Sequence, residues 1–222
     1  MWLSSKIISS GVAARIFWED FEVGNRLDTR FGGTDSWARV AGNGGTLLEY
    51  TGGQAHSQLW DDSEVFNASD NVSIEALVRA DGATTTNLTG FTFGKQTGSN
   101  GDGYQVLIDR RSGSSPSNAG FALRENLSFQ AVLASDTSIT IARDVFYRIE
   151  VDWRTTGTRI TCRLYNSANT LLSTITSNDA SYTSGRVGAY SLNPGSIDDI
   201  DVTTNPPIGG PGEPIDPEPK PK

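Results

Sequence analysis

Glu150-Val151-Asp152-Trp153-Arg154-Thr155 is the stretch whose side chains come closest to acid–base chemistry. Residues two apart on a strand share a face, so Glu150 and Asp152 would stand together. Cleavage of a glycosidic bond needs one carboxylate to attack or activate water and a second to give up a proton. Arg148 and Arg154 fall on that same face. A guanidinium beside a carboxylate keeps it ionised, so the stretch reads as a surface charge ladder, and no catalytic residue is assigned.

Nucleophilic and metal chemistry find little more. His56 is the single histidine, in Gly52-Gly53-Gln54-Ala55-His56-Ser57-Gln58, and no serine sits in a nucleophile-elbow motif. Cys162 is the single cysteine. It alternates with apolar neighbours in Ile160-Thr161-Cys162-Arg163-Leu164 and reads as a small core residue. One histidine and one cysteine make a poor zinc set.

Sugar binding uses a different vocabulary: aromatic faces for apolar C–H patches, and planar polar groups for hydroxyls. Trp37, Trp60 and Tyr104 adjoin polar loops, and Arg79, Asp109 and Arg111 supply polar groups nearby. These six form the candidate carbohydrate-binding set. Each aromatic also has a plain reading as core, which is the assignment for Trp18, Tyr147 and Trp153.

The elements that must position these residues are short strands. Val72, Ile74, Ala76 and Val78 alternate with polar residues, which puts them on one buried face. Phe146–Trp153 and Arg159–Tyr165 flank Arg154–Thr158 as the clearest hairpin. In it Tyr147, Ile149, Val151 and Trp153 face one side, and Glu150 or Asp152 can pair with Arg163 on the other. Strands are also predicted at 17–24, 34–40, 46–50, 90–94, 104–109, 121–124, 129–133 and 171–176. Gly42-Asn43-Gly44-Gly45 makes a hairpin turn. The glycine-rich stretches 95–103 and 110–118 are loops, where binding residues tend to gather. Two last strands, Ser184–Tyr190 and Gly195–Val202, lie either side of the turn at Asn193-Pro194-Gly195. With 222 residues, 36% hydrophobic, 24 glycines and no long helical periodicity, the chain is all-β with one core.

Glu19-Asp20-Phe21-Glu22-Val23-Gly24, Gly103-Tyr104-Gln105-Val106, Ser184-Gly185-Arg186-Val187-Gly188 and Ile197-Asp198-Asp199-Ile200-Asp201-Val202 together resemble the concanavalin A-like β-sandwich superfamily. The likeness is to its laminin-G-like and non-catalytic carbohydrate-binding jelly rolls, and it runs from about Ile16 to Thr203. It implies a two-sheet antiparallel sandwich with its first and last strands side by side. Glycoside hydrolases of this superfamily carry Glu-x-Asp-x-Glu or Glu-x-Asp-x-x-Glu, and here the second glutamate is missing. The Arg, Gln-x-His and Tyr motifs of alginate-lyase jelly rolls are also absent. The resemblance further implies a structural Ca²⁺ between the opening and closing strands, with Glu22 and Asp199 as ligands, Asp20 as a third and Gly24 lending a carbonyl. The same acids read equally as solvated or bonded to backbone amides.

The organisation is then an N-terminal arm over residues 1–15, a jelly-roll sandwich over 16–204 and a Pro-rich tail over 205–222. The arm holds Trp2, Leu3, Ile7, Ile8 and Val12, but Ser and Lys interrupt it, so it is not a convincing signal peptide. No run is long enough to span a membrane. A formal charge of −8 and a sequence pI near 4.6 argue against a nucleic-acid partner. Four Asn-x-Ser/Thr sequons, at Asn67, Asn71, Asn87 and Asn126, follow from a composition rich in these residues.

Two function classes fit. One is a non-catalytic carbohydrate-binding or adhesion module whose partner is a glycan or polysaccharide. The other is a structural accessory protein of a virus or phage particle, in its capsid, decoration or tail, anchored to neighbouring subunits through residues 1–15 and 205–222. Either places the protein outside the cell or on a virion surface.

Overall fold

The computed structural model describes residues 14–19, 29–31, 37–42, 45–52, 56–60, 64–81, 87–96, 102–110, 120–125 and 131–204, with the backbone alone at 14–19, 29–31, 42, 45, 56 and 57. The described strands are β1 (Ala14–Glu19), β2 (Thr29–Phe31), β3 (Trp37–Gly42), β4 (Gly45–Tyr50), β5 (His56–Trp60) and β6 (Phe66–Asn67). They continue with β7 (Val72–Ala80), β8 (Leu88–Lys95), β9 (Tyr104–Asp109), β10 (Gly120–Glu125) and β11 (Ala131–Asp136). β12 (Phe146–Trp153), β13 (Ile160–Tyr165), β14 (Leu171–Ser177), β15 (Ser184–Leu192) and β16 (Gly195–Thr204) complete the order.

They form two antiparallel sheets. Sheet A runs β14-β13-β12-β7-β16-β4-β3, with β1 also on β16; sheet B runs β11-β10-β9-β8-β15-β5-β2, with β6 on β15. The all-β, two-sheet sandwich expected from the sequence is the architecture found.

Period-two patterning explains sheet A. Along β7, β12 and β13 every second side chain is buried, and Tyr147, Ile149, Val151 and Trp153 face the core with Cys162. Between the sheets, Phe93 meets Trp153 edge-on at 5.6 Å and Tyr104 at 5.1 Å. Sheet B differs: β8 and β9 are buried at every position, so both of its faces are covered.

β16 holds the sandwich closed. Its first residues pair with β7 on one side and β4 on the other, and from Ile200 onward β1 replaces β4. The change occurs at a bulge between Asp198 and Asp201, where Asp199 has φ 50°. A short polar side chain tolerates that left-handed conformation better than most. Glu19 lies opposite Ile200 and Ala14 opposite Thr204. The first and last strands therefore do lie side by side. β1 begins at Ala14, so the last two residues of the expected arm, Ala14 and Arg15, lie in a strand; the rest of the arm, residues 20–24 of the expected opening strand, and the tail lie outside the described residues.

β15 and β16 do not pair as a hairpin, although only a short turn separates them. They sit in opposite sheets. Buried Asn87 holds the crossing, donating through Nδ2 to the carbonyls of Asp81 and of Pro194, the latter at 3.1 Å, while the Asp81 N–H also reaches Pro194 O at 3.0 Å. A Cβ on Gly195 would lie 2.1 Å from Thr89 Oγ1, so no side chain fits there.

Candidate functional site

The outer face of sheet B follows from strand alternation. Leu59, Ala189, Phe91, Val106 and Leu123 point into the inter-sheet core, so the residues beside them on each strand point the other way. A second, smaller apolar cluster of Leu88, Leu107, Ala122, Tyr190 and Leu192 confirms that this opposite side is also packed.

Cross-strand register arranges the face in ranks. One rank runs Trp60, Gly188, Thr92, Gln105, Arg124, and the next runs Gln58, Tyr190, Gly90, Leu107, Ala122. Gly188 and Thr92 occupy the middle of the first rank, where a Cβ on Gly188 would lie 2.3 Å from Leu59 O. The result is a shallow trough along Gly188, Thr92 and Gly90, with Tyr190 standing beside Gln58 in the second rank. Trp60 and Gln58 stand on one side and Gln105 and Arg124 on the other, with the two flanks about 14 Å apart at the backbone, three strand spacings.

The trough's polar side chains are deeply buried. Gln58 is 1% exposed, Gln105 3% and Trp60 7%. Lys95 places its ammonium 4.9 Å from the Trp60 ring centroid and donates to Gln96 O at 2.9 Å. Arg124 bonds Asp109 at 3.0 Å in a buried ion pair. Gln58 Oε1 and Gln105 Nε2 have no hydrogen-bond partner among the described residues. Each such buried polar atom costs about 1–3 kcal/mol.

Of the six candidate sugar contacts, Trp60 and Asp109 lie on this face. Tyr104 does not. It faces the inter-sheet core, fully buried, and its hydroxyl donates to Asp179 Oδ1 at 2.6 Å and accepts the Tyr182 N–H at 3.1 Å. Burial, and next the bond to Asp179, push that phenol well above its ordinary pKa. Trp37 also packs in the core, its ring 5.2 Å from that of Tyr50. Neither ring presents a face to a ligand. Arg79 is on sheet A, bonded to Asp81 and to Ser196 Oγ (3.1 Å), with its guanidinium 4.9 Å from the Phe146 ring. Arg111 lies outside the described residues.

Gln58, Lys95, Gln105 and Arg124 were not singled out from sequence. The available signal was that strands 88–95 and 104–109 carry apolar residues at both odd and even positions, which marks a sheet covered on both sides.

The outer face of sheet A carries the Glu150–Asp152 stretch. Arg148 sits between Glu75 (3.0 Å) and Glu150, stacks 3.9 Å over the Tyr165 ring and donates to Asn169 Oδ1 at 2.7 Å. Arg163 bonds Asp152 at 2.9 Å, and Tyr165 donates to Glu150 Oε2 at 2.9 Å. Arg154 approaches Asp152 at 3.7 Å. Burial raises the Glu75 pKa against the pull of Arg148. The expected cross-strand pairing of Arg163 is present, and both carboxylates of the stretch are held by arginines.

Asp199 is exposed, its own N–H taken by Asp198 Oδ1 at 3.0 Å. Asp20, Glu22 and Gly24 lie outside the described residues. Among the described residues no three His, Cys, Asp or Glu side chains converge on a cation position. They supply one proposed carboxylate, short of the six to eight oxygens that Ca²⁺ takes. The His56 backbone pairs with Leu192 at the end of β5. Cys162 is buried, as expected, and burial pushes its thiol far above the usual range. No described helix is long and apolar enough to cross a membrane.

No family model and no curated protein matches the chain. Solved structures do match it. The VIP36 exoplasmic/lumenal domain in its Ca²⁺/Man2-bound form superposes with a TM-score of 0.56 at 12% identity, over 80% of this chain and 81% of that one. A Bacillus subtilis protein of unknown function with a galectin-like fold gives 0.59 at 15%, over 86% and 96%. The carbohydrate-binding module CBM66 from Bacillus subtilis gives 0.54 at 12%, over 80% and 97%. The chain shares with these structures the fold of a two-sheet antiparallel β-sandwich.

Proposed function

We propose that this chain is a non-catalytic glycan-binding module that holds a sugar in the sheet B trough. The observation that carries the reading is the pair of buried amide atoms without a described hydrogen-bond partner, Gln58 Oε1 and Gln105 Nε2, on either side of Gly188, Thr92, Gly90 and Tyr190 and beside Trp60. A sugar hydroxyl both donates and accepts, so one ligand can meet an acceptor on one wall and a donor on the other. The VIP36 domain bound to Man2 and the module CBM66 share the architecture and support the same class. On the opposite sheet, Glu75, Glu150 and Asp152 are each engaged by an arginine, which supports reading that face as a charge ladder. Gln58, Gln105 and Trp60 are closed to solvent in this conformation, so binding includes an opening step.

Gln105→Leu separates this function from mere packing. Removing an unpaired buried amide leaves the free protein as stable or more so, while glycan affinity falls about tenfold or more, a loss of about 1.4 kcal/mol. Glycan-array screening followed by calorimetric titration, alongside thermal melting, measures both. The reading fails if no glycan binds above background, or if the hit binds Gln105→Leu as it binds wild type.

The calcium proposal from Asp20, Glu22 and Asp199 stands separately. It predicts that millimolar Ca²⁺ raises the melting temperature and that Asp199→Asn removes the rise; an unchanged melt with Ca²⁺ overturns it. The particle-anchoring reading rests on the terminal arms, of which only Ala14 and Arg15 are described.

A further inference from the structure

Lys95 ends β8 on the face opposite to the one that strand alternation assigns it. Phe91 and Phe93 point into the inter-sheet core, and a regular strand would send Lys95 the same way. Instead the register with β15 passes from Gly188 opposite Thr92 to Arg186 opposite Lys95, so Phe93 and Gly94 together stand against Val187. This is a bulge, a device that re-aims the side chain beyond it. Gly94 has φ 63°, a left-handed conformation that glycine adopts without strain, and Gly185 lies so close that a Cβ on it would be 2.2 Å from Gly94 C. Lys95 is thereby turned onto the outer face of sheet B, where its ammonium meets the Trp60 ring.

Arg186 is the register partner of Lys95 and, since Val187 points into the core, it shares that face. The two cations stand one rank beyond Trp60, Gly188 and Thr92, at one end of the trough. Arg124 lies on the far wall beside Gln105. Among the described strand residues of this face Asp109 is the only acid, against Lys95, Arg124 and Arg186, although the chain as a whole carries −8. Lys95 and Arg124 are buried, and a buried charge is costly unless something answers it. Gln105 Nε2, Arg124 Nε and Arg186 Nε are buried nitrogens with no acceptor among the described residues, and Gln58 Oε1 is an acceptor with no donor; both arginines make other contacts. Donors and positive charge are therefore in surplus here.

We propose that the ligand of the trough is an anionic sugar, its carboxylate or sulfate seated at the end marked by Lys95 and Arg186, beside Trp60. The inference rests on the glycan reading and narrows it. A neutral sugar offers hydroxyls, each a donor as well as an acceptor, and leaves the surplus of protein donors and of positive charge unanswered. An ionised carboxylate or sulfate accepts without donating, and its bonds to charged donors are about twice as strong as those between neutral groups. Charge also narrows the source of the anion. A nucleic acid is held by a basic surface tracking many phosphates, whereas away from this face the chain is acidic. One acidic group on a sugar needs only the local pair of cations.

Matched oligosaccharides test it, titrated calorimetrically against the full chain with a chelator present so that calcium plays no part. The arms are a polygalacturonate oligomer, its neutral methyl ester, a dextran oligomer and its sulfate. At least one acidic form should bind about tenfold or more tighter than its neutral counterpart, and added salt should narrow the gap. A preference confined to the uronate assigns a carboxylate, and one confined to the sulfated dextran assigns a sulfate. Lys95→Met keeps the buried stem and removes the charge, and it should cut the acidic-over-neutral ratio about fivefold or more. Thermal melting verifies its fold, and the wild-type comparison decides the matter without the variant. Acidic oligomers that bind no better than the neutral ones, or a preference that Lys95→Met leaves intact, would overturn the proposal. Neutral glycan-array hits with neither acidic oligomer bound would overturn it alone and leave the glycan reading standing; an array without hits would overturn both.

Discussion

Tyr104 shows how one polar atom inside a sandwich disciplines a loop. Its hydroxyl donates to Asp179 and receives the Tyr182 N–H, while the two tyrosine rings meet edge-on at 5.2 Å. Residues 178–183 carry the chain from sheet A to sheet B, so this bond fixes where the crossing runs. Burial alone would raise the Asp179 pKa, but the hydrogen bonds from Tyr104 and Ser181 outweigh it and hold the carboxyl below its ordinary range. A depressed carboxylate adds stability that is complete above the unfolded value near 3.9 and disappears as pH falls through the folded value. Tyr104→Phe should therefore cost about 1–3 kcal/mol at pH 7 and less at pH 3, as melting at the two pH values will show. In the sequence Tyr104 stands next to a polar loop, and that proximity suggested a ligand contact. The alternation Tyr104, Val106, Ile108 gives the shared face correctly, yet on a strand with Leu107 on its other side nothing local says which face is inward. The same ambiguity concealed Gln105, which sits between Tyr104 and Val106.

The β12–β13 hairpin was legible because only one of its faces is buried, so the pattern in the chain and the pattern in space coincide. The step from β15 to β16 was legible as strand, turn, strand, but not as a change of sheet. That outcome is set by Asn87, more than a hundred residues earlier in the chain, whose amide occupies the carbonyls of Asp81 and Pro194. Asn87→Ala takes the amide donor from the Asp81 carbonyl and leaves the Pro194 carbonyl with the Asp81 N–H. A loss of about 2 kcal/mol or more is expected, read as a lower urea midpoint at unchanged slope; an unchanged midpoint would show that the backbone bond from Asp81 to Pro194 suffices. Asn87 also heads a sequon, and its burial makes it unavailable to a glycan in the folded chain.

At the scale of the whole molecule, the resemblance carried by the two ends of the chain anticipated the adjacency of β1 and β16, because closing a sandwich leaves few places for a final strand. What it did not carry was the unequal treatment of the two sheets, one outer face laced with charge and the other packed. That difference is a property of ranks assembled from five strands and exists in no single stretch of sequence. Removing residues 1–19 should lower the melting temperature by several degrees, because β16 beyond Ile200 would then be paired on one side only. A melt unchanged within error would mean that β1 contributes nothing to the closed sandwich.

With Ala14 facing Thr204 across a single ladder, anything fused before the first strand or after the last one departs from the same corner of the domain. Chain direction is then close to a convention. A short bridge across that corner, with fresh ends opened between Arg154 and Thr158, describes a circular permutant with every strand neighbour intact.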